Sequence, residues 1–218
     1  GDKTPSLDRL GGGTWASRKA KVRDKIAAMA HQLLELHAMR AIVQGHRYEG
    51  VPARYRQFEE TFAYVETPDQ AQAIRDVLDD MAGEEPMDRL VVGDVGFGKT
   101  EVAMRAAMRV VLAGRQVAIL CPTTVLAYQH WRTFEERFEG FGVSVALLSR
   151  FRDPKEARAL RKRCADGDVD ILIGTHALLG RSAKFKDLGL LVIDEEHRFG
   201  VKQKEKLKAL AQKWSDTP

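Results

Sequence analysis

Along the chain, apolar residues fall into two regimes. From Trp15 to about Gln44 there is no proline or glycine, and Trp15, Val22, Ile26, Met29, Leu33 and Leu36 recur at spacings of three, four and seven. That period predicts one long amphipathic helix whose apolar stripe must be buried against another element. "GGGT" (Gly11 to Thr14) offers a flexible lead-in with Thr14 as candidate N-cap, and Gly45 a stop. Residues 46–66 read as a polar, aromatic-containing connector. Beyond it come short apolar runs with little alternation: "RLVVG" (Arg89–Gly93), "QVAILC" (Gln116–Cys121), "VSVALL" (Val143–Leu148), "DILIG" (Asp170–Gly174) and "LLVID" (Leu190–Asp194). Such runs suit strands covered on both faces.

Helical stretches separate them, at Lys99–Ala113, Thr124–Phe138, Asp153–Ala165 and a basic one at Val201–Trp214. The alternation predicts an α/β fold, a parallel sheet sandwiched by helices with ligands at the carboxyl ends of the strands. The expected organisation is a flexible start and long connecting helix over 1–45, then an α/β lobe over 46–218.

Composition adds little: 218 residues, 44% hydrophobic and 30% charged, belong to a globular chain, and an excess of 35 Lys and Arg over 31 acids permits a polyanionic partner without requiring one. Cys121 and Cys164 are too few for a disulfide framework, lack metal-type spacing and read as reduced core residues. No apolar run is long enough to cross a bilayer and no leader pattern opens the chain, so a cytoplasmic location and no membrane partner are expected.

The chemistry concentrates in two motifs. "GDVGFGKT", Gly93 to Thr100, fits G-x-x-x-x-G-K-[ST] between a predicted strand and a predicted helix. Gly93, Gly96 and Gly98 let backbone N–H groups turn inward around phosphate oxygens, and the helix N-terminus adds partial positive charge. Lys99 then reaches the terminal phosphates and Thr100 ligates magnesium. "LLVIDEEH" supplies the complement: Asp194 at a strand end holds the Mg shell, and Glu195 orients or deprotonates the attacking water. In "TPDQAQAI" (Thr67 to Ile74), Gln70 is either an ordinary helix-start residue or an amide for the adenine edge, with Phe62 or Tyr64 available for stacking.

Together, Gln70 in "TPDQ", the phosphate loop, "PTTVLAYQH" (Pro122–His130), "IGTH" (Ile173–His176) and "DEEHRFG" (Asp194–Gly200) resemble the ordered motifs of the first RecA-like P-loop lobe of superfamily 2 helicases and translocases. "MDRLVVGDVGFGKTEVAMRAA", "LLSRFRDPKEA" and "KFKDLGLLVIDEEHRFGVKQKEKLKAL" are similar in wording to the bacterial transcription-repair coupling factors. Residues 10–41 resemble the relay helix that leads into that family's motor. RecG branched-DNA translocases are the nearest relatives to separate from it; the "LGGxxW" helix and the "DEEH" wording favour the coupling factors.

The resemblance implies an ATP-driven walker on double-stranded DNA that displaces stalled RNA polymerase and recruits nucleotide-excision repair through UvrA, by domains outside this chain. It implies ATP and Mg as cofactors. The nucleotide would be held by Phe62, Gln70, Gly93, Asp94, Val95, Gly96, Phe97, Gly98, Lys99, Thr100 and Glu101. Lys99, Asp194 and Glu195 would serve hydrolysis, with His197 coupling it to motion. Thr123, Thr124, Gln129, Thr175 and His176 fall in motifs that line DNA backbone, tracking phosphates without reading sequence. Arg150 and Arg152 are either further phosphate contacts or solvated loop residues. "KQKEKLK" (Lys202–Lys208) reads as a solvated helix face. The family continues past "LKALAQKWSDTP" into a second lobe that supplies an arginine to the transferring phosphate, so this chain alone is expected to turn over ATP hardly at all. A nucleotide-responsive regulatory module is the competing class. A P-loop small-molecule kinase would need an acceptor pocket and a lid, and the five motifs argue against it.

Overall fold

In the computed structural model the residues described are 19, 20, 23, 45–94, 96–149, 153–179, 183–195 and 198, without the side chains of 176 and 179. The chain divides into two units, Gly1–Gln44 and Gly45–Pro218. In the first, Lys19, Ala20 and Arg23 are helical; the rest of the expected helix lies outside the described residues, as does the expected helix at Val201–Trp214.

The second unit contains helices α1 (Ala53–Glu60), α2 (Pro68–Ala82), α3 (Lys99–Leu112), α4 (Thr124–Arg137) and α5 (Pro154–Asp166), with strands β1 (Gln116–Leu120), β2 (Val145–Leu148), β3 (Ile171–Gly174) and β4 (Leu188–Ile193). The strands form one four-stranded sheet in the order β2-β3-β1-β4, and every pairing is parallel. The α/β expectation therefore holds.

The absence of alternation has its predicted cause. Val117, Ile119, Ile171 and Ile173 pack into one core with α2, α3 and α4, while Leu120, Leu148 and Leu172 pack into a second with Leu160 and Cys164 of α5. Each face of the sheet is covered, so both sides of β1 and β3 must be apolar. Burial pushes the Cys121 thiol up to about 12 and the Cys164 thiol to about 11, in keeping with core cysteines that stay protonated.

Two expectations need correction. The connector at 46–66 contains α1, whose Tyr55 and Phe58 are buried; its sequence "ARYRQFEE" carries too few apolar residues to show a period, and packing holds it as a helix. Conversely, Arg89–Gly93 forms no strand. Leu90 and Val92 are 78% and 83% exposed, and no described strand offers this run a ladder. A hydrophobic pattern makes a segment willing to pair, but a strand exists only with a neighbour.

Register positions the site. Leu120 stands beside Gly174 on one side and Ile193 on the other. The ladder runs one step further, Cys121 N–H donating to the Gly174 carbonyl at 2.8 Å and Asp194 N–H to the Leu120 carbonyl at 2.9 Å. Asp194 thereby emerges beside Cys121, just where the chain turns into α4.

Candidate nucleotide site

The loop before α3 takes its shape from glycine. Gly96 and Gly98 have φ of +84° and +69°, values that cost other residues strain, and Gly98 is the left-handed N-cap of α3. A Cβ on Gly98 would displace the Gln70 amide from its place against the loop, so a substitution here disturbs that contact as well as the backbone. Lys99 folds back over the loop, its Nζ donating to the carbonyls of Gly93 at 2.6 Å and Asp94 at 2.7 Å. Thr100 is half-buried in the first turn of α3.

Gln70 is placed as a helix-start residue that also reaches the loop. Its Oε1 accepts from Thr67 N–H at 2.8 Å and its own N–H donates to Thr67 Oγ1 at 3.2 Å, a complete capping box at the start of α2. Its amide also donates to the Phe97 carbonyl at 2.8 Å, which ties the helix start to the phosphate loop. Phe62 lies half-buried with its ring 5.8 Å from both the Arg105 and Arg137 guanidinium carbons. Tyr64 is 77% exposed, its ring edge-on to Phe62 at 5.7 Å.

At the end of β4, Asp194 Oδ2 accepts from His130 Nε2 at 2.7 Å. That hydrogen bond holds the Asp194 carboxyl below its ordinary range against the opposing effect of burial, with the Lys99 charge adding in the same direction. Glu195 follows with φ of +49° and is the described non-glycine residue with positive φ. Arg198 Nε lies 2.9 Å from its Oε2, yet this buried oxygen accepts no hydrogen bond. The distance is short but the alignment poor, so we read an ion pair without a directed bond.

The donor set suits magnesium, a hard cation that takes carboxylate and hydroxyl oxygens. Asp194 offers a carboxylate kept ionised, and Thr100 a hydroxyl at a helix N-terminus. Two of the three Lys99 Nζ donors are engaged with the loop carbonyls of Gly93 and Asp94, and these are the bonds a phosphate would compete for.

Other expected residues are placed differently. Glu101, expected in the nucleotide set, is instead 7% exposed and bonded to Arg105 at 2.6 Å and Arg137 at 3.0 Å. The i,i+4 arginine on its own helix draws it inward. Thr175 is buried, its hydroxyl without a hydrogen-bond partner, whereas Thr123 and Gln129 are exposed and Thr124 half-buried. Thr123 caps α4 by accepting from Leu126 N–H at 3.2 Å. Val95, Arg150, Arg152, His197 and the side chain of His176 lie outside the described residues. Sequence reading gave His130 no role, because its partner is 64 positions away and only the sheet register joins them.

Residues 67–218 match the DEAD/DEAH box helicase family. The chain is 49% identical over 209 residues to the transcription-repair-coupling factor of Staphylococcus aureus (strain USA300), covering 96% of this chain and 18% of that protein. To the transcription-repair-coupling factor of Myxococcus xanthus it is 52% identical over 209 residues, covering 95% of this chain and 17% of the other. It therefore spans less than a fifth of the length of these relatives. Among solved structures, RecG bound to a three-way DNA junction superposes with a TM-score of 0.68 at 35% identity, over 84% of this chain and 26% of RecG. A hypothetical ATP-dependent RNA helicase from Sulfolobus tokodaii, with a TM-score of 0.57 at 19% identity over 75% of this chain and 47% of that one, shares the fold. The expected likeness to coupling factors and RecG is borne out. With a family match across most of its length, this chain belongs to the DEAD/DEAH box helicases.

Proposed function

We propose that this chain is the ATP-binding motor lobe of a superfamily 2 translocase that moves on double-stranded DNA. The observation carrying this reading is a loop turned by Gly96 and Gly98 that opens α3 at Lys99, together with Asp194 emerging at the carboxyl end of β4. In the nucleotide-bound state Lys99 exchanges its two loop carbonyls for phosphate oxygens. Loop N–H groups of 93–98 surround the phosphates, and Thr100 and Asp194 hold the metal shell. Glu195 accepts the proton of the attacking water. Magnesium supplies charge neutralisation at the transferring phosphoryl group. Gln70, freed from Phe97, turns its amide to the adenine edge, with Phe62 beneath the base.

The DNA-facing side is the first half of α4, where exposed Thr123 and Gln129 and half-buried Thr124 offer hydroxyl and amide groups, a phosphate-contacting chemistry without sequence readout. By the family resemblance Arg150, Arg152 and His176 would add DNA contacts and His197 would couple hydrolysis to movement; Thr175 is buried here and would have to be uncovered to join them. By its likeness to the coupling factors, the full-length protein would act in the cytoplasm, displace stalled RNA polymerase and hand the lesion to UvrA. Turnover by these 218 residues alone would be slight, an arginine from elsewhere completing the site. No helix among the described residues is long and apolar enough to cross a membrane.

RecG likeness supports a second reading, action on branched DNA, and one experiment separates the two. Phosphate release by the full-length protein is expected to rise with linear duplex DNA. Stimulation confined to three-way junctions would favour the RecG-type reading, and none by either DNA would contradict both.

A further inference from the structure

His130 lies in α4, seven residues after the cap residue Thr123 and next to the exposed Gln129. Its ring points inward. It meets Phe134, one turn further on and fully buried, at 6.4 Å between centroids in an edge-on arrangement, and its Nε2 reaches Asp194 Oδ2 at 2.7 Å. A carboxylate only accepts, so Nε2 carries the proton and the tautomer is set by this contact. The side chains are 17% and 29% exposed, half-shielded from water. Sγ of Cys121 completes the cluster, all three donor atoms falling within 4.8 Å of one another. The thiol keeps its proton, so it forms an uncharged wall and the histidine–carboxylate pair is the polar connection.

Oδ2 of Asp194 is thus fixed by His130, and the Glu195 backbone also contacts the carboxylate, so its orientation is set before any metal arrives. The fixing group sits midway along α4, the helix whose first half the proposed function turns toward DNA. Seven residues of α-helix span about 10 Å, so a shift of α4 on binding phosphate at its N-terminus moves His130 against Asp194.

We propose that His130 is a positioning residue for Asp194: it orients the carboxylate for magnesium and, through α4, ties occupancy of the DNA-facing helix end to the metal site. This rests on the motor-lobe reading above. Outer partners of metal-binding groups typically govern affinity by about 10- to 100-fold.

The test uses the full-length protein and equilibrium binding of a fluorescent ATP analogue titrated with Mg²⁺, with and without linear duplex DNA. His130→Ala is expected to raise the half-saturating Mg²⁺ concentration by about tenfold or more, to leave metal-free nucleotide affinity as in the unaltered protein, and to erase the shift that duplex DNA produces. His130→Gln, whose amide Nε2 can donate from nearly the same place, is expected to restore most of both; it also carries the test if the alanine variant fails to fold. An unchanged Mg²⁺ requirement in His130→Ala, or a glutamine variant as defective as the alanine one, would overturn the proposal and leave His130 a packing residue. Lys99→Ala in the same assay separates the levels. If it binds nucleotide as well as the unaltered protein, the site reading fails and the His130 proposal with it. If Lys99→Ala loses binding while His130→Ala keeps its Mg²⁺ requirement, only the His130 step is wrong.

Discussion

Glu195→Gln in the full-length protein is expected to cut steady-state ATP hydrolysis by about 10²- to 10⁴-fold, the usual worth of a positioned general base, while MgATP still binds. Glu195 directly follows Asp194, the proposed metal ligand, and its backbone sits in the left-handed region at φ +49°. For a residue with a side chain that conformation costs about 1–3 kcal/mol and persists only where the surroundings enforce it. Here they include the end of β4 and the Arg198 side chain at 2.9 Å. The buried Oε2 accepts no directed hydrogen bond and faces Arg198 as an ion pair, so in the proposed role it takes a proton once that guanidinium moves away. Glutamine keeps the size and the backbone demand but cannot take a proton. Binding of a fluorescent ATP analogue and phosphate release, measured on the same preparation, should therefore separate. Turnover equal to that of the unaltered protein would move the base elsewhere.

Arg105→Ala is expected to destabilise the lobe by about 3–5 kcal/mol, the cost of breaking a buried charge network by removing one partner. The Arg105 side chain is 3% exposed and pairs with Glu101 at 2.6 Å, Glu59 at 2.8 Å and Glu66 at 2.5 Å. Three carboxylates converge on one guanidinium, and its removal leaves the buried Glu101 with Arg137 alone at 3.0 Å. The network is also architectural. Glu59 lies in the last turn of α1 and Glu66 precedes the cap of α2, so Arg105 pins the segment carrying Phe62 to the helix that begins at the phosphate loop. Arg137 reinforces the same joint, its guanidinium carbon 3.8 Å from the Phe58 ring centroid and its Nη2 donating to the Phe58 carbonyl at 2.7 Å. Urea unfolding should show the loss as a lower midpoint at unchanged slope. A shift below about 1 kcal/mol would mean the cluster is solvated in a way its burial does not suggest.

Much of this arrangement is legible in the residues because the physics is local. The runs at β1 and β3 lack alternation since both faces of the sheet are covered, and α3 and α4 begin at the expected Lys99 and Thr124. Glycines at 96 and 98 announce positive φ, and the Thr67–Gln70 spacing announces a capping box. What escaped was set by partners distant in sequence. Residues 89–93 have the composition of a strand but no neighbour among the described ones. α1 is too polar to show a period and is held by Tyr55 and Phe58 from below. Glu101 sits beside the loop in sequence yet answers to Arg105 one turn on, a pairing the i,i+4 spacing did offer. His130 meets Asp194 only because β1 and β4 are adjacent and in register.

The central claim is that Lys99 and the strand-end acids Asp194 and Glu195 form one MgATP site, and affinity for MgATP in the full-length protein with and without Lys99→Ala tests it most directly. Loss of the charge-assisted bonds from Nζ to phosphate, about 1.5–3 kcal/mol, predicts binding weaker by roughly 10- to 150-fold in a variant whose melting temperature is unchanged. Equal affinity in the two proteins would contradict the account.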